Sequence, residues 1–199
     1  MDESRLIAAS QEGRVEAFNL LVERYQGLVY NVAYRMLGDR DAAADATQDT
    51  FISAYDGLGR FRGGSFRAWL LRIATNHCYD QLRARQHRRQ DSLEDMLQSG
   101  DDLDVAADQR LTPENFTLSS EMLGAIAGGL ATLPADQRAA VILSDVQGLA
   151  YEEIAEAMAC SLGTVKSRLS RGRARLRHYL LHQRELLPPQ FRLLHGETP

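Results

Sequence analysis

The sequence predicts an all-α protein: two small helical domains joined by a flexible acidic linker, the C-terminal one a helix-turn-helix. Three observations carry that prediction. Apolar residues recur at three- and four-residue spacing through most of the 199-residue chain, and no run alternates with the two-residue period of a strand. Residues 91–120 hold eight acids against one base, with Gly100, Pro113 and several serines, which is the composition of a linker. Tyr151 to Leu180 divides at Ala159-Cys160-Ser161 into a short acidic amphipathic half and a longer basic one.

The N-terminal elements follow in order. Leu6, Ile7 and Ala9 support a short amphipathic helix over 3–12. Phe18, Leu21, Val22, Tyr25, Leu28, Val29, Val32, Ala33 and Met36 give a wide apolar face from Arg14 to Leu37, ended by Gly38. Asp41 to Tyr55 forms the next helix; Asp41, Asp45 and Asp49 share one face, and Phe51, Ala54 and Tyr55 supply apolar contacts. Asp56 to Arg67 is a loop with four glycines, two phenylalanines and three arginines, Arg60, Arg62 and Arg67. Rings for stacking and guanidiniums for phosphate are what a single-stranded nucleic acid needs. The competing reading is a connector pinned by its aromatics, and it is the better one for Phe66 and Trp69. Ser65 can cap a helix starting near Phe66. That helix buries Trp69, Leu70, Ile73, Ala74, Cys78 and Leu82, and presents Arg72, Asn76, Tyr79, Asp80, Arg83 and Arg85 on its other face.

After the linker, Met122, Leu123, Ile126, Leu130 and Leu133 mark a helix weakened by Gly128-Gly129. Pro134 opens the next at a favoured first position, and Gly148 closes it. Ile154, Ala155 and Met158 form the stripe of a scaffold helix. Ser161 caps a second helix whose buried stripe is Val165, Leu169, Leu176 and Leu180. From Ser161 to Leu180 there are six basic residues and no acid. A basic second helix after a short turn suits the major groove of DNA. At about 100° per residue, the face opposite the apolar stripe carries Ser167, Ser170, Arg171 and Ala174. Arg171 is the expected base reader, because its fork can bond two acceptors of guanine at once. Lys166, Arg168, Arg173, Arg175 and Arg177 flank that face and suit phosphates. Pro188-Pro189 stop any helix in the tail, which acquires no function.

Composition narrows the classes. A hydrophobic content of 44% is that of a globular chain. The start MDESRLIAASQEGR has no apolar signal core, which points to the cytoplasm. Cys78 and Cys160 are far apart and lack ligand spacing, so no metal or cofactor is implied. The net charge of −4 conceals segregation: 161–199 carry net +6 while 91–120 carry net −7. Nothing in the chain argues for an enzyme.

With these motifs in place, LPADQRAAVILSDVQGLAYEEIAEAMACSLGTVKSRLSRGRARLR resembles region 4 of bacterial sigma-70 family factors of the extracytoplasmic function (ECF) group. FNLLVERYQGLVYNVAYRMLG, DATQDTFISAY and FRGGSFRAWLLRIATNHCYDQLR resemble region 2 of the same group. The resemblance implies a subunit of RNA polymerase that binds the core enzyme and directs it to promoters. Region 2 would span 1–90, the linker 91–120 and region 4 121–182, with a tail over 183–199. Asp45, Gln48, Asp49 and Phe51 would hold the clamp helices of the largest polymerase subunit. Arg60, Phe61, Arg62, Gly63, Gly64, Ser65, Asn76, Tyr79 and Arg83 would recognise and open the −10 element. Lys166, Ser167, Arg168, Ser170, Arg171, Arg173 and Arg175 would bind the −35 element, and region 4 would dock on the flap of the second-largest subunit. An anti-sigma factor is a further expected partner, without direct membrane insertion of this chain.

Some positions depart from the family pattern. Ala42 and Ala44 stand where acids are common, Asp49 and Gln147 where Glu is common, Ala150 where Ser or Thr caps the scaffold helix, and Gly172 where Ala is common. An Ala in place of a capping residue typically costs ~1 kcal/mol, and a helical Gly loses about as much in propensity. The alternative function is a free-standing helix-turn-helix repressor or activator, with the N-terminal bundle as a dimerisation or sensor module. The Gly/Phe/Arg loop before the Trp69 helix speaks against it, since a duplex reader has no use for that loop. A protein-binding adaptor is disfavoured by the acid-free basic helix.

Overall fold

A computed structural model describes residues 2–97 and 118–182; side-chain placement is described for 2–86 and 122–182. The expected linker centre (98–117) and tail (183–199) lie outside the described residues. Every regular element among the described residues is helical. They are α1 (Glu3–Gln11), α2 (Val15–Leu37), α3 (Arg40–Gly57), α4 (Phe66–Leu97), α5 (Leu118–Ala131), α6 (Ala135–Val141), α7 (Tyr151–Ala157) and α8 (Leu162–His182). A 3-10 turn, Leu58–Arg60, follows α3, and a π-helical segment, Ile142–Val146, continues α6.

The caps explain the boundaries. Gly38 ends α2 at φ +72°, and its N–H donates to Tyr34 O. Asp39 caps α3, accepting from Ala42 N at 2.7 Å. Ser65 caps α4 through Ala68 N at 3.2 Å, and Ser161 caps α8 through Thr164 N at 3.1 Å. At the start of α7, Ala150 offers no side-chain acceptor, but Glu153 accepts from Ala150 N at 3.0 Å, which is half of a capping box. Pro134 sits one residue earlier than expected, at the N-cap of α6. The last helix of the N-terminal part runs on to Leu97, into the segment that composition alone reads as linker.

Among the described residues, two apolar clusters hold the helices together. One lies within the N-terminal part: Leu6 of α1, Phe18, Leu21, Tyr25 and Val29 of α2, Phe51 and Ala54 of α3, Leu58, and Phe66, Leu70 and Ala74 of α4. The other is shared between the two parts. Val32, Met36, Leu37, Leu71 and Cys78 pack with Leu130, Leu133, Val141, Ile142, Leu143, Ile154, Val165 and Leu169. Periodicity shows that α2 and α4 have wide apolar faces, but not that their far ends are covered by the other domain. Arginines from both sides tie this seam. Arg67 donates to the backbone oxygen of Gln147, and Arg138 donates to Met36 O across the seam as well as to Ala131 O at 2.7 Å and Leu133 O at 3.0 Å. Burial lowers the pKa of the Arg138 guanidinium from its ordinary value.

Glycines that look like weak points in the sequence are packing requirements. A Cβ on Gly128 would meet Tyr179 Oη at 2.7 Å, and one on Gly129 would meet Leu176 Cδ1 at 2.5 Å. Gly172 is buried where α8 crosses α6; a Cβ there would lie 2.8 Å from Val141 Cγ2 and 3.2 Å from Gln137 O. Gly172→Ala gains ~1 kcal/mol of helix propensity but overpacks a rigid contact at a cost of ~1–3 kcal/mol. The expected outcome is a lower denaturation midpoint, and a rise would contradict this assignment.

Candidate nucleic-acid interface

The turn between α7 and α8 is short because Ala159 adopts a left-handed conformation, φ +47°, rare for a residue with a Cβ. It reverses the chain between Met158 and Ser161 and sets α8 across α7. On α8, Val165, Leu169 and Gly172 are buried and Leu176 is half-buried, while Ser170, Arg171 and Ala174 are exposed and Ser167 is half-exposed. The face that the helical wheel selects therefore points outward. Arg171 donates to Ser167 Oγ on the same helix and makes no ion pair among the described residues. Lys166 and Arg175 are exposed beside it.

Arg168 and Arg173 differ from that expectation. The Arg168 Nε donates to Asp136 Oδ2 at 3.0 Å, and Arg173 clamps Asp145 from Nε at 3.0 Å and from Nη2. The Arg173 fork holds the Asp145 carboxyl below the usual carboxylate range. Both arginines thus brace α8 against the α6 segment through its carboxylates. Spacing along α8 could not reveal partners 28 and 32 residues away.

The loop after α3 is anchored at both ends. The Phe61 ring lies 5.6 Å from Phe66, edge-on, and 5.3 Å from Trp69. Phe66 is fully buried and Trp69 half-buried, as a connector pinned by aromatics requires. Between Phe61 and the Ser65 cap, Arg62, Gly63 and Gly64 stand exposed, with the two glycines at φ +97° and +89°. Arg60, Asn76 and Arg83 are also exposed; Arg83 faces Asp80 at 3.5 Å in a solvated pair.

Tyr79 corrects the expected face. The sequence sets it beside Arg72 and Asn76 on the outer side of the helix, yet its ring is half-buried against the shared cluster, and burial pushes its hydroxyl up to about 12. The cause is the C-terminal part, which packs on α4 and brings Asp136, Cys160 and Arg168 near this tyrosine. A cleft of about 680 Å³ remains between the two parts, where Arg60, Arg62 and Arg72 face Cys160 and Ser161 of the helix-turn-helix.

On another side, α2 and α3 enclose an open apolar groove of about 910 Å³. Phe18, Val22, Tyr30, Phe51, Ile52 and Tyr55 line it, with Gln48 on its edge. Asp45 and Asp49 are exposed on the same helix. Phe51 is itself mostly buried, so it forms the groove wall. Sequence reasoning identified Gln48 and Phe51 but missed Ile52, although an isoleucine 53% exposed is a signal once the fold is known.

Comparison with known proteins places this geometry. Residues 21–88 match the family model for sigma-70 region 2, and residues 123–176 match that for sigma-70 region 4. An ECF RNA polymerase sigma-E factor of Haemophilus influenzae is 39% identical over 176 residues, covering 87% of this chain and 92% of that protein. The chain belongs to the ECF sigma factors. The ECF RNA polymerase sigma factor SigE of Mycolicibacterium smegmatis is 36% identical over 173 residues; this sigma factor spans 65% of that relative's length. Among solved structures, the sigma factor RpoE in complex with the anti-sigma factor NepR from Bartonella quintana matches with a TM-score of 0.63 and 31% identity, over 82% of this chain and 96% of that one. CnrH in complex with the cytosolic domain of CnrY matches with a TM-score of 0.65 and 27% identity, over 91% and 99%. In this sigma factor the two matched regions pack on each other through the shared cluster. No helix among the described residues is long and apolar enough to cross a membrane.

Proposed function

We propose that this ECF sigma factor binds core RNA polymerase in the cytoplasm, directs it to promoters with −35 and −10 elements, and nucleates their melting. The role is non-enzymatic. The observation that carries it is the coexistence in one chain of an outward basic helix-turn-helix face and a pinned Gly/Arg loop, each within its matched region. α8 reads the −35 element with Ser167, Ser170 and Arg171, while Lys166 and Arg175 hold phosphates and fix register. The Arg60–Ser65 loop receives a base extruded from the −10 element, with Asn76 upstream of it; extrusion costs a few kcal/mol that contacts with the loop offset. The α2–α3 groove and the Asp45, Gln48 and Asp49 edge take the clamp helices of the largest polymerase subunit, and region 4 docks on the flap. An anti-sigma factor, as NepR is in the RpoE complex, is the expected regulatory partner.

The closed arrangement cannot serve both elements. Elements 25 base pairs apart lie about 85 Å apart along a duplex rising ~3.4 Å per pair. The two regions must therefore separate, which frees Tyr79 for the −10 element. The 20 residues between Leu97 and Leu118 can reach at most ~70 Å, enough with the domains' own breadth. Arg67 and Arg138 oppose this opening, since each hydrogen bond from a charged group contributes ~1.5–3 kcal/mol. Replacing both with alanine is expected to widen the distance distribution between spin labels at Ala44 and Ala174 in the free protein. An unchanged distribution would show that the two arginines do not hold the regions together. The sigma reading itself is tested by transcription with purified core polymerase, developed below.

A further inference from the structure

α1 precedes the segment matched to region 2, which begins at residue 21. Its apolar side buries Leu6 and packs Ile7 and Ala9 against the cluster that holds Phe61 and Trp69. A turn through Gly13, at φ +88°, then leads into α2. At its C-terminal end, the side chain of Gln11 reaches the 3-10 turn that follows α3. Its Nε2 donates to Leu58 O and to Phe61 O, both at 3.0 Å. The two acceptors are the ends of the 3-10 turn, which Phe61 N closes by donating to Leu58 O at 3.0 Å. Both partners are carbonyl oxygens, so only the amide nitrogen can face them and the orientation of the side chain is fixed.

The clasp sits at the root of the melting loop. Leu58 is buried at the start of the turn, and the Phe61 ring packs on Phe66 and Trp69. Ser65, capping α4, fixes the other end. Between these anchors a Cβ on Gly63 or Gly64 would meet no atom within 4 Å among the described residues, so both glycines are open on that side. The Phe61 carbonyl immediately precedes Arg62, and Gln11 Nε2 hydrogen-bonds that carbonyl oxygen.

We propose that Gln11 is a positioning residue for promoter melting: by clasping Leu58 O and Phe61 O, it aims the Arg62–Ser65 loop at the base that the loop captures. This inference rests on the sigma reading. It assigns α1 a part in −10 capture, without contact to DNA.

The test uses holoenzyme assembled from core polymerase and the full chain, either wild type or with Gln11→Ala or Gln11→Glu. Glutamate keeps the length of glutamine but turns a carboxylate oxygen toward two carbonyls, so it loses the clasp more completely. The probe is the single-stranded non-template −10 segment of a promoter selected with the wild-type holoenzyme, intact or with an abasic site at each position in turn. The variants are expected to bind the intact strand about tenfold more weakly, the effect of one to two lost hydrogen bonds. Affinities for core polymerase and for −35 duplex should be unchanged. The difference from wild type should vanish when the abasic site falls at the captured base, because the loop then has nothing to aim at.

A wild-type affinity for the intact strand in both variants would overturn the inference and leave the sigma reading standing. So would an equal loss against every abasic strand, the sign of general destabilisation. Failure of the wild-type holoenzyme to bind any −10 strand would overturn the sigma reading and the inference with it.

Discussion

Arg171→Ala is expected to abolish promoter-specific transcription while leaving the fold and the affinity for core polymerase intact. The guanidinium is exposed on the outer face of α8, and among the described residues its hydrogen-bond partner is Ser167 of the same helix. Its removal therefore costs the protein little. A bidentate contact to guanine contributes ~1–3 kcal/mol of discrimination, so preference for the cognate −35 duplex should fall roughly 10- to 100-fold. Competition between cognate and scrambled duplexes, together with a thermal melt, measures both quantities. Arg173→Ala provides the contrast. It breaks the clamp on Asp145, so its effect on promoter binding should come with a lower melting temperature. Equal losses of stability in the two variants would contradict the distinction drawn between them.

Ile52→Lys is expected to remove the affinity for core polymerase. Ile52 is 53% exposed, so a charge there is solvated in the free protein and the fold is kept. It stands in the apolar groove beside Phe51, Tyr55 and Val22, the surface assigned to the clamp helices. On docking, the ammonium would be stripped of water in a groove whose lining is mainly apolar, a cost that Asp56 at its edge offsets only in part. Anchors at the centre of an interface contribute ~2 kcal/mol or more, so the affinity should fall at least about 30-fold. DNA binding by region 4 should be unaffected. A titration of fluorescently labelled core polymerase reads the change, and a wild-type affinity would remove the groove from the interface.

The two variants rest on features that differ in how far the sequence reveals them. Arg171 is set by helical periodicity and one N-cap, both local, and the sequence places it correctly. Ser65, Ser161 and Gly38 are legible for the same reason: a cap binds backbone within three or four residues of itself. The groove is only half legible, because Gln48 and Phe51 lie on one helix and Val22 and Tyr30 on another. The seam is not legible at all. Arg67 and Gln147 are 80 residues apart and Arg138 and Met36 are 102 apart, and no period connects them. Tyr79 lies on the outer face of its own helix, and the approach of the C-terminal part covers it. The glycines at 128, 129 and 172 look like lost propensity until the side chains that fill their place, Tyr179, Leu176 and Val141, are seen. Gln11 carries no motif; its importance lies entirely in two backbone carbonyls of a distant turn.

The most direct test of the central claim is transcription in a purified system of core RNA polymerase, this protein and a randomised library of promoter fragments. The account predicts transcripts from a subset of fragments that share a −35 and a −10 element, dependent on the added protein and lost with Arg171→Ala or Ile52→Lys. Absence of such transcripts, with the free protein instead binding a palindromic duplex tightly as a dimer, would contradict it and support a free-standing helix-turn-helix regulator.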